Sequence, residues 1–277
     1  MKFIKMQGLG NDFVFVDGFQ QEIPEDLSLL SQKVCHRHLG VGADGLVLIL
    51  PSCRGDVKMR IFNPDGTEAE MCGNAIRCVA KYMYVSGRIS NRRITVETLA
   101  GLMKPELIID NGTVNGIRVD MGEPRFAERE IPVILPPGNE GEKEIHIDGS
   151  IYSFTALSMG NPHCVIFVED VELTPVREIG PKVEKHHFFP AKTNVEFVQV
   201  LSEKEIKMRV WERGAGETLA CGTGACAAAV AATLNGKTAR KMTVHLPGGD
   251  LLLEWADNSH VFMTGPAEAV FEGEYYN

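Results

Sequence analysis

The 277-residue sequence lacks most features that would assign a class of protein directly. No apolar run approaches the roughly 18 residues of a membrane-spanning helix, and no apolar signal segment follows the N-terminus. Positive charge is also scarce, because 28 Lys and Arg stand against 37 Asp and Glu and the net charge is −9. Nucleic acid and anionic membranes are not attracted to such a surface, whereas a small zwitterionic or anionic ligand responds to local charge. We therefore expect a cytoplasmic protein whose partner is a small molecule.

Cysteine patterns of the kind that form disulfide frameworks or metal sites are missing too. The seven cysteines include no CxxC pair and no Cys/His spacing typical of zinc, so we expect free thiols and no bound metal. Five of them are expected to be buried small hydrophobic residues. This group contains Cys35, Cys53, Cys78, Cys164 and Cys226. The other two, Cys72 and Cys221, need a different explanation.

The chain contains an internal repeat. One block aligns RIFNPDGTEAEMCGNA without a gap on RVWERGAGETLACGTG, which places Cys72 on Cys221, 149 positions later. A block upstream aligns GLGNDFVFVD with SMGNPHCVIFVED, and Asn11 falls on Asn161. A block downstream pairs RRITVETLAGLMKPEL with RKMTVHLPGGDLLLEW, and both have the pattern of a strand, a glycine-containing turn and a second strand. Three blocks in the same order predict two structurally similar halves.

The pattern of apolar residues predicts the same elements in each half. Several alternating or β-branched runs predict strands, and one apolar helix follows each Cys-Gly motif, over roughly 75–86 and 225–235. A single apolar helix among many strands should be buried inside a curled sheet, which gives an α/β fold class. More polar helices at 26–38 and near 175–186 are expected on the outside. The proline-rich, charged segment 120–138 is expected to link the halves, with a boundary near Gly122.

Each Cys-Gly motif lies where a helix is predicted to begin. A helix start exposes backbone N–H groups and a partial positive charge, so it binds carboxylates and favours the thiolate form of cysteine. Gly73 and Gly222 would let a ligand approach the backbone closely. Asn74 and Thr223, one position further on, are expected to add N-cap character.

Two thiols in matched halves indicate a two-base reaction, provided that the halves pack face to face with the site in the cleft between them. One thiolate would remove the proton from a carbon beside a carboxylate. The opposite thiol would return a proton to the other face, so that the stereocentre inverts. The helix amides would stabilise the charge that develops on the carboxylate.

Together these segments resemble the diaminopimelate epimerase family, within the cofactor-independent cysteine racemase and epimerase superfamily. The resemblance covers nearly the whole chain and rests on KMQGLGNDFVFVD, GVGADG, FNPDGTEAEMCGNAIRC, SMGNPHCV, TNVEF, ERGAGETLACGTGACA and LPGGDLLLEW. It implies two pseudo-symmetric domains, 1–121 plus 267–277 and 122–266, each a curled, mainly antiparallel sheet around a central helix. It also implies interconversion of LL- and meso-diaminopimelate, without pyridoxal phosphate or metal, in lysine and cell-wall precursor synthesis. A homodimer is implied by the resemblance alone.

The resemblance also implies roles for individual residues, motif by motif. Cys72 and Cys221 match the catalytic cysteines, and His163 and Glu212 match residues that assist them. The substrate-binding set comprises Asn11, Asn63, Gly73, Asn74, Asn161, Asn194, Glu212, Arg213, Gly222 and Thr223. The residues themselves support the Glu212-Arg213 pair, because a carboxylate beside a guanidinium could grip a second amino-acid group on the substrate. One departure is Gly45, which follows Asp44 where some relatives have a substrate-contacting glutamine. Gly45 is therefore not in the binding set, and Asp44 is interpreted as structural.

Three other functions remain open from the sequence. A proline or hydroxyproline racemase of the same superfamily should lack the Glu212-Arg213-Gly214 segment. A non-catalytic amino-acid-binding protein would have no need of two oxidisable thiols. A redox sensor would use Cys72 and Cys221 as a reversible disulfide, and for this geometry we expect oxidation to inactivate the enzyme until a thiol reductant is added.

Overall fold

The computed structural model describes residues 1–135 and 143–276, and the chain forms two compact units. The first unit comprises Met1–Asp120 together with Thr264–Asn277, and the second comprises Met121–Met263. The first unit is therefore built from both ends of the chain. Residues 136–138, at the end of the predicted linker, lie outside the described residues.

Short strands and two helices make up the first unit, with turns that are rich in glycine. Its elements up to Asp120 are β1 (Lys2–Gly8), β2 (Asn11–Asp17), α1 (Leu27–Cys35), β3 (Gly45–Leu50), β4 (Val57–Phe62), β5 (Glu68–Ala69), α2 (Gly73–Val85), β6 (Val96–Thr98), β7 (Gly101–Met103), β8 (Glu106–Asp110) and β9 (Thr113–Asp120).

A matching series makes up the second unit. It contains β10 (Lys143–Ile147), β11 (Ser150–Ser158), β12 (Pro162–Phe167), α3 (Val176–Glu184), β13 (Asn194–Ser202), β14 (Glu205–Glu212), β15 (Gly216–Thr218), α4 (Gly222–Leu234), β16 (Lys241–Leu246) and β17 (Gly249–Trp255). Strand β18 (Val261–Gly265) runs across the sequence boundary, and β19 (Glu268–Glu274) belongs to the first unit.

The two units have the same sheet topology, which confirms the predicted repeat. In the first, the strands are ordered β19-β1-β2-β3-β4-β6-β7, with β5 paired to β4. In the second, the sheet contains the run β10-β11-β12-β13-β14-β16-β17, which is followed by β18, with β15 paired to β14. The parallel pairs also correspond, since β2–β3 and β4–β6 match β12–β13 and β14–β16. The other pairs along both orders are antiparallel, so each sheet is mainly antiparallel as predicted.

Helices α2 and α4 are the central helices of their units. Helix α4 packs against β11, β12, β13, β14, β16 and β17, so the sheet of the second unit wraps around it. Its interior is a run of alanines and other small residues from Ala225 to Ala232, all buried. Helix α2 packs against β1 and β4 of the first sheet and against the β8–β9 hairpin. Both bear out the prediction that an apolar helix lies inside each curled sheet.

The other two helices have one apolar face, as expected for helices on the outside of a sheet. Helix α1 buries Leu27, Leu30 and Val34 in a cluster with residues of β2 and β3. Helix α3 buries one face in the same manner, in a cluster with strands β11 to β13.

Two expectations from the sequence were wrong. Helices α2 and α4 begin at Gly73 and Gly222, so the cysteines before them are the N-cap residues, whereas Asn74 and Thr223 lie inside the first turn. In α4 the Gly224 backbone N–H donates to the sulfur of the N-cap residue Cys221 at 3.3 Å. Cys53 is exposed and not buried, because it lies in the bend that follows β3 instead of on a strand.

Candidate active site

The half-site of the first unit is built around the start of α2. Cys72 has the extended backbone of an N-cap residue, with φ −140° and ψ 122°. Its Sγ lies 3.8 Å from Oδ1 of Asn11, a residue at the start of β2. The same Oδ1 accepts a hydrogen bond from Asn74 Nδ2 at 3.0 Å. Asn11, Cys72 and Asn74 are therefore brought together, with Gly73 between the last two.

A charged network holds Asn11 in this orientation. Asp44 Oδ2 accepts hydrogen bonds from Asn11 Nδ2 at 2.8 Å and from the Asp12 backbone N–H at 3.1 Å. Arg37 donates to both carboxylates, at 2.6 Å to Asp44 and 2.8 Å to Asp12. Lys5 forms an ion pair with Asp12 at 2.5 Å. The contact with Asn11 fits the interpretation of Asp44 as a structural residue.

Asn63 is held separately, in the turn between β4 and β5. Its Nδ2 donates to Thr67 Oγ1 at 2.9 Å, and its backbone N–H donates to the Thr67 carbonyl at 2.8 Å. These bonds fix the turn itself. They do not tie Asn63 to Asn11 or Asn74.

The half-site of the second unit is built around the start of α4. Cys221 is the N-cap residue, and its Sγ accepts a hydrogen bond from the Gly224 backbone N–H at 3.3 Å. The Thr223 hydroxyl lies 3.6 Å from the same sulfur. Burial raises the pKa of the Cys221 thiol well above its ordinary value, and the carboxyls of Glu212 and Glu196 raise it further. The bonds from Thr223 and Gly224 act in the opposite direction, because they stabilise the thiolate.

Behind Thr223, polar side chains form a line that leads into the core. Asn161 Nδ2 donates to Thr223 Oγ1 at 3.3 Å, and Asn161 Oδ1 lies 2.9 Å from His163 Nε2. His163 Nδ1 in turn lies 2.7 Å from Oε1 of Glu196. His163 and Glu196 are both fully buried. The structure thus brings Asn161, His163, Thr223 and Cys221 into one chain of contacts.

Glu196 was not predicted as a functional residue. It lies within the quoted TNVEF motif, between Val195 and Phe197, on a strand whose first five residues are all buried. A charged residue in a run of buried apolar residues is itself a signal, because glutamate is almost never fully buried without a partner. Burial raises the pKa of Glu196, whereas His163 lowers it.

Asn194, Glu212 and Arg213 meet at the end of β14. Asn194 donates through Nδ2 to the Pro162 carbonyl at 2.9 Å and accepts from the Arg213 backbone N–H at 2.9 Å. Glu212 accepts from the Thr218 hydroxyl. The Arg213 side chain is exposed, and its Nη1 donates to the Ala191 carbonyl at 3.2 Å. Glu212 and Arg213 are therefore neighbours in a turn that Asn194 fixes.

Residues 1–135 and 143–276 lack two further kinds of feature. No group of three or more His, Cys, Asp and Glu side chains in these ranges is placed to hold a metal ion. Within the same ranges, no helix is long and apolar enough to cross a membrane.

Comparison with known proteins gives a consistent result. The profile of the family described as diaminopimelate epimerase matches residues 3–127 and 155–270. A diaminopimelate epimerase of Pelotomaculum thermopropionicum is 61% identical over 276 residues, which cover 99% of both chains.

Solved structures show the same fold at low sequence identity. A phenazine biosynthesis protein of the PhzF family from Bacillus anthracis is 18% identical with a TM-score of 0.70, over 99% of this chain and 98% of the other. A hydroxyproline epimerase from Agrobacterium vitis is 17% identical with a TM-score of 0.69, over 99% and 91%. These likenesses concern the fold alone, whereas the family profile and the close relative concern the sequence over nearly its full length. The chain therefore belongs to the diaminopimelate epimerase family.

Proposed function

We propose that this protein interconverts LL- and meso-diaminopimelate by a two-base reaction that needs no cofactor. The observation that carries the proposal is the matched placement of Cys72 and Cys221, each as the N-cap residue of the central helix of its unit. Family membership supports the choice of substrate. The reaction would supply lysine and cell-wall precursor synthesis.

The proposed reaction uses one thiol from each unit on opposite faces of the α-carbon. The thiolate takes the α-proton and becomes a thiol, while the electron pair of the broken C–H bond is held on the carbon and its carboxylate. The opposite thiol then donates its proton to the other face and becomes a thiolate. Each turnover therefore inverts one stereocentre and exchanges the protonation states of the two sulfurs. The two thiols should titrate as a coupled pair.

The helix starts are suited to hold the carboxylate at the reacting centre. The backbone N–H groups of Gly73 and Asn74, and those of Gly222 and Thr223, lie in the first turns of α2 and α4. Such groups favour negative charge, and they would stabilise the charge that develops as the α-proton leaves. Asn11 and Asn161 would complete the polar lining of the two half-sites.

The far end of the substrate carries a second amino-acid group, and we assign it to Glu212 and Arg213 with Asn63 and Asn194. The repeat supports this assignment, because Asn63 and Glu212 occupy equivalent positions and make the two halves unequal there. A carboxylate matches an ammonium group and a guanidinium matches a carboxylate in two parallel bonds. Glu212 and His163 would also assist the thiols during proton transfer.

We further propose that the enzyme works in the cytoplasm as a homodimer, without nucleic acid or membrane partners. The net charge of −9 supports the absence of nucleic acid and membrane partners, since anionic polymers and surfaces would be repelled. Light scattering on the purified protein would test the dimer, and a mass equal to one chain of 30.4 kDa would reject it.

The function is tested by proton NMR of LL-diaminopimelate in deuterated water with reduced enzyme. We expect loss of the α-proton signal with the wild type, and a loss of rate of about 100-fold or more in Cys72→Ala and in Cys221→Ala, because each removes one proton-transfer group. Cys53→Ala is the matched control. It deletes an exposed thiol in the first unit and should leave the rate unchanged.

The outcomes separate the competing functions. Reduced, folded wild type that exchanges proline or hydroxyproline and not diaminopimelate would reject the substrate assignment. Binding of diaminopimelate without exchange would indicate a binding protein. If either cysteine variant kept the wild-type rate, the two-base mechanism would be wrong.

A further inference from the structure

The two units differ at three equivalent buried positions, which in the second unit lie around Cys221. The second unit has His163, Glu196 and Gly224 where the first has Phe13, Val47 and Ala75. The strand registers establish the correspondence for the central pair. Phe13 is opposite Gly45 on β2–β3 and His163 is opposite Asn194 on β12–β13, so Val47 and Glu196 each lie two residues further along.

The polar set is not needed to build the fold. Phe13, Val47 and Ala75 are buried in the first unit, which has the same sheet order and the same central helix. A buried carboxyl group costs free energy unless all its oxygens are bonded. Among the described residues, Oε2 of Glu196 is buried and has no hydrogen-bond partner. Burying Glu196 therefore costs the second unit folding free energy that the first unit does not lose. This indicates that the polar residues are present for function.

The hydrogen bonds from His163 to Cys221 have a defined direction. Asn161 Oδ1 can only accept, so the His163 Nε2 that faces it must carry a proton. The Asn161 amide group then donates to Thr223 Oγ1. Because that oxygen is occupied as an acceptor, its own proton is available to the sulfur of Cys221, 3.6 Å away.

We propose that Glu196 is a positioning residue for Cys221, which acts through His163 and Asn161 to direct the Thr223 hydroxyl proton toward the sulfur and so to favour the thiolate. The proposal rests on the proposed function of Cys221 as one of the two bases. It assigns no contact between Glu196 and the substrate.

Glu196 serves this role whichever atom holds the shared proton. If Glu196 keeps it, the carboxyl O–H donates to a bare Nδ1 and Nε2 carries the ring proton. If Nδ1 takes it, both ring nitrogens donate and the pair is ionic. In both cases Nε2–H faces Asn161 and the net charge of the pair is zero. Burial, which raises the pKa of Glu196, helps to retain the shared proton.

The neutrality of the pair matters because acidic groups face Cys221 from two strands, Glu212 from β14 and Glu196 from β13. His163, the partner of Glu196, lies on β12. A charged Glu196 carboxylate without a positive partner raises the pKa of Cys221 and opposes the thiolate. The proton shared with His163 cancels that charge, so the pair can fix Nε2–H without opposing the thiolate. The first half-site has the opposite polarity. There Asn11 presents an oxygen to Cys72, so a hydrogen bond between them requires the S–H form.

The test compares Glu196→Val, the residue of the first unit, with Glu196→Gln. Gln can donate to His163 Nδ1 and so preserve Nε2–H, whereas Val cannot fix the ring. Val47→Ala is the control, because it perturbs the equivalent buried position of the first unit without touching a histidine. Three readouts are used: nitrogen-15 NMR of labelled histidine, ultraviolet titration of the Cys221 thiolate with Cys53 and Cys72 replaced by serine, and kcat and KM.

We expect Glu196→Val to lose the fixed Nε2–H form, to raise the pH of thiolate formation by about one unit or more, and to lower kcat at least about 10-fold with KM little changed. Glu196→Gln should restore the Nε2–H form and most of kcat, and Val47→Ala should lower only stability. An unchanged His163 spectrum and thiolate titration in Glu196→Val would overturn the proposal. If that variant does not fold, His163→Phe with Glu196→Val restores the apolar pair of the first unit and gives the same titration. The NMR and titration need no substrate, so they decide the proposal even if diaminopimelate is not turned over.

Discussion

At the scale of single residues, Glu184 on α3 supports the turn that carries Glu212 and Arg213. It is 4% exposed, and its carboxylate accepts from Trp211 Nε1 at 2.7 Å and from the Gly214 backbone N–H at 3.2 Å. These bonds fix the turn from behind, since Gly214 directly follows Arg213. Helix α3 therefore helps to position the proposed distal binding residues Glu212 and Arg213, and this role requires no contact with the substrate.

Replacing this carboxylate should weaken binding more than catalysis. In Glu184→Gln one of the two acceptor oxygens becomes an NH₂ group, so either Trp211 or Gly214 loses its bond, at about 1–3 kcal/mol. We expect KM for diaminopimelate to rise roughly 10-fold while kcat stays within about threefold, because the reacting centre is not disturbed. Steady-state kinetics measure both. Glu178→Gln, an exposed change on the same helix, should alter neither. A fall in kcat at constant KM would contradict the role given to Glu184.

The sequence predicted residues that its motifs mark and missed those whose role depends on burial. Cys72 and Cys221 stand at repeated positions beside glycines, so the alignment of the halves singled them out. Glu184 and Glu196 look like ordinary acidic residues in the sequence. Only the packing of α3 on β14, and the register of β12 on β13, place their carboxylates against Trp211 and His163.

At the scale of elements, the helix starts carry the difference between the two units. Residue 224 of α4 is glycine, whereas its counterpart in α2 is Ala75. A Cβ at position 224 would lie 2.8 Å from Glu196 Oε1 and 3.2 Å from both Cβ and Sγ of Cys221. Glycine is therefore required where the carboxyl is present, and alanine is accepted where the strand carries Val47.

Gly224→Ala should consequently be harmful, although alanine is the better helix former by about 0.5–1 kcal/mol. The new methyl group must displace Glu196 or the sulfur, so we expect activity to fall at least about 10-fold with no gain in stability. In Gly224→Ala with Glu196→Val the carboxyl is gone. Adding the alanine to Glu196→Val should therefore raise stability. Thermal unfolding of the wild type, the two single variants and the double variant gives the coupling energy between positions 196 and 224. Additive effects would show that the carboxyl and the methyl group do not compete for space.

The elements themselves were predicted well where the pattern is long and poorly where it is short. Helices α1 to α3 and most of the longer strands follow from apolar periodicity, and α4 follows from its unbroken apolar run. Strands β5 and β15 contain only two and three residues, so no alternation can mark them. They form because the chain must turn back between β4 and α2, and between β14 and α4, and pair briefly on the way.

At the scale of the whole molecule, the repeat extends to the ion pairs. Arg60 bonds Glu68 in two parallel contacts of 2.7 and 2.8 Å in the first unit. At the equivalent positions, Arg209 bonds Glu217 at 2.9 and 2.6 Å in the second. Each pair joins a long strand to the short strand that leads to the central helix. The alignment of the halves places Arg60 on Arg209 and Glu68 on Glu217, but it did not predict an Arg–Glu contact, which depends on the short strands β5 and β15.

These pairs predict how stability changes with pH. Arg60 lowers the pKa of Glu68, with burial opposing it; for Glu217, burial raises the pKa, but bonds from Arg177 and Arg209 lower it overall. A carboxyl with a depressed folded-state pKa stabilises the fold fully above its ordinary value of 4.5, and this contribution is lost as the pH falls through the folded-state value. The wild type should therefore lose stability from about pH 5 downward.

Glu217→Gln should be about 1–2 kcal/mol less stable than the wild type at pH 7, because the half-buried Arg209 loses a charged partner. At pH 3 the difference should be smaller, since the wild-type carboxyl then begins to protonate. Urea unfolding followed by circular dichroism at both pH values measures this, with Glu68→Gln as the matched variant of the first unit and the exposed Glu144→Gln as control. Each Arg–Glu pair stabilises the short strand that leads to a helix capped by cysteine. Glu68→Gln and Glu217→Gln should therefore lower kcat by a larger factor than they raise KM. A deficit of the same size at pH 3 and pH 7 would show that Glu217 acts through packing and not through its charge.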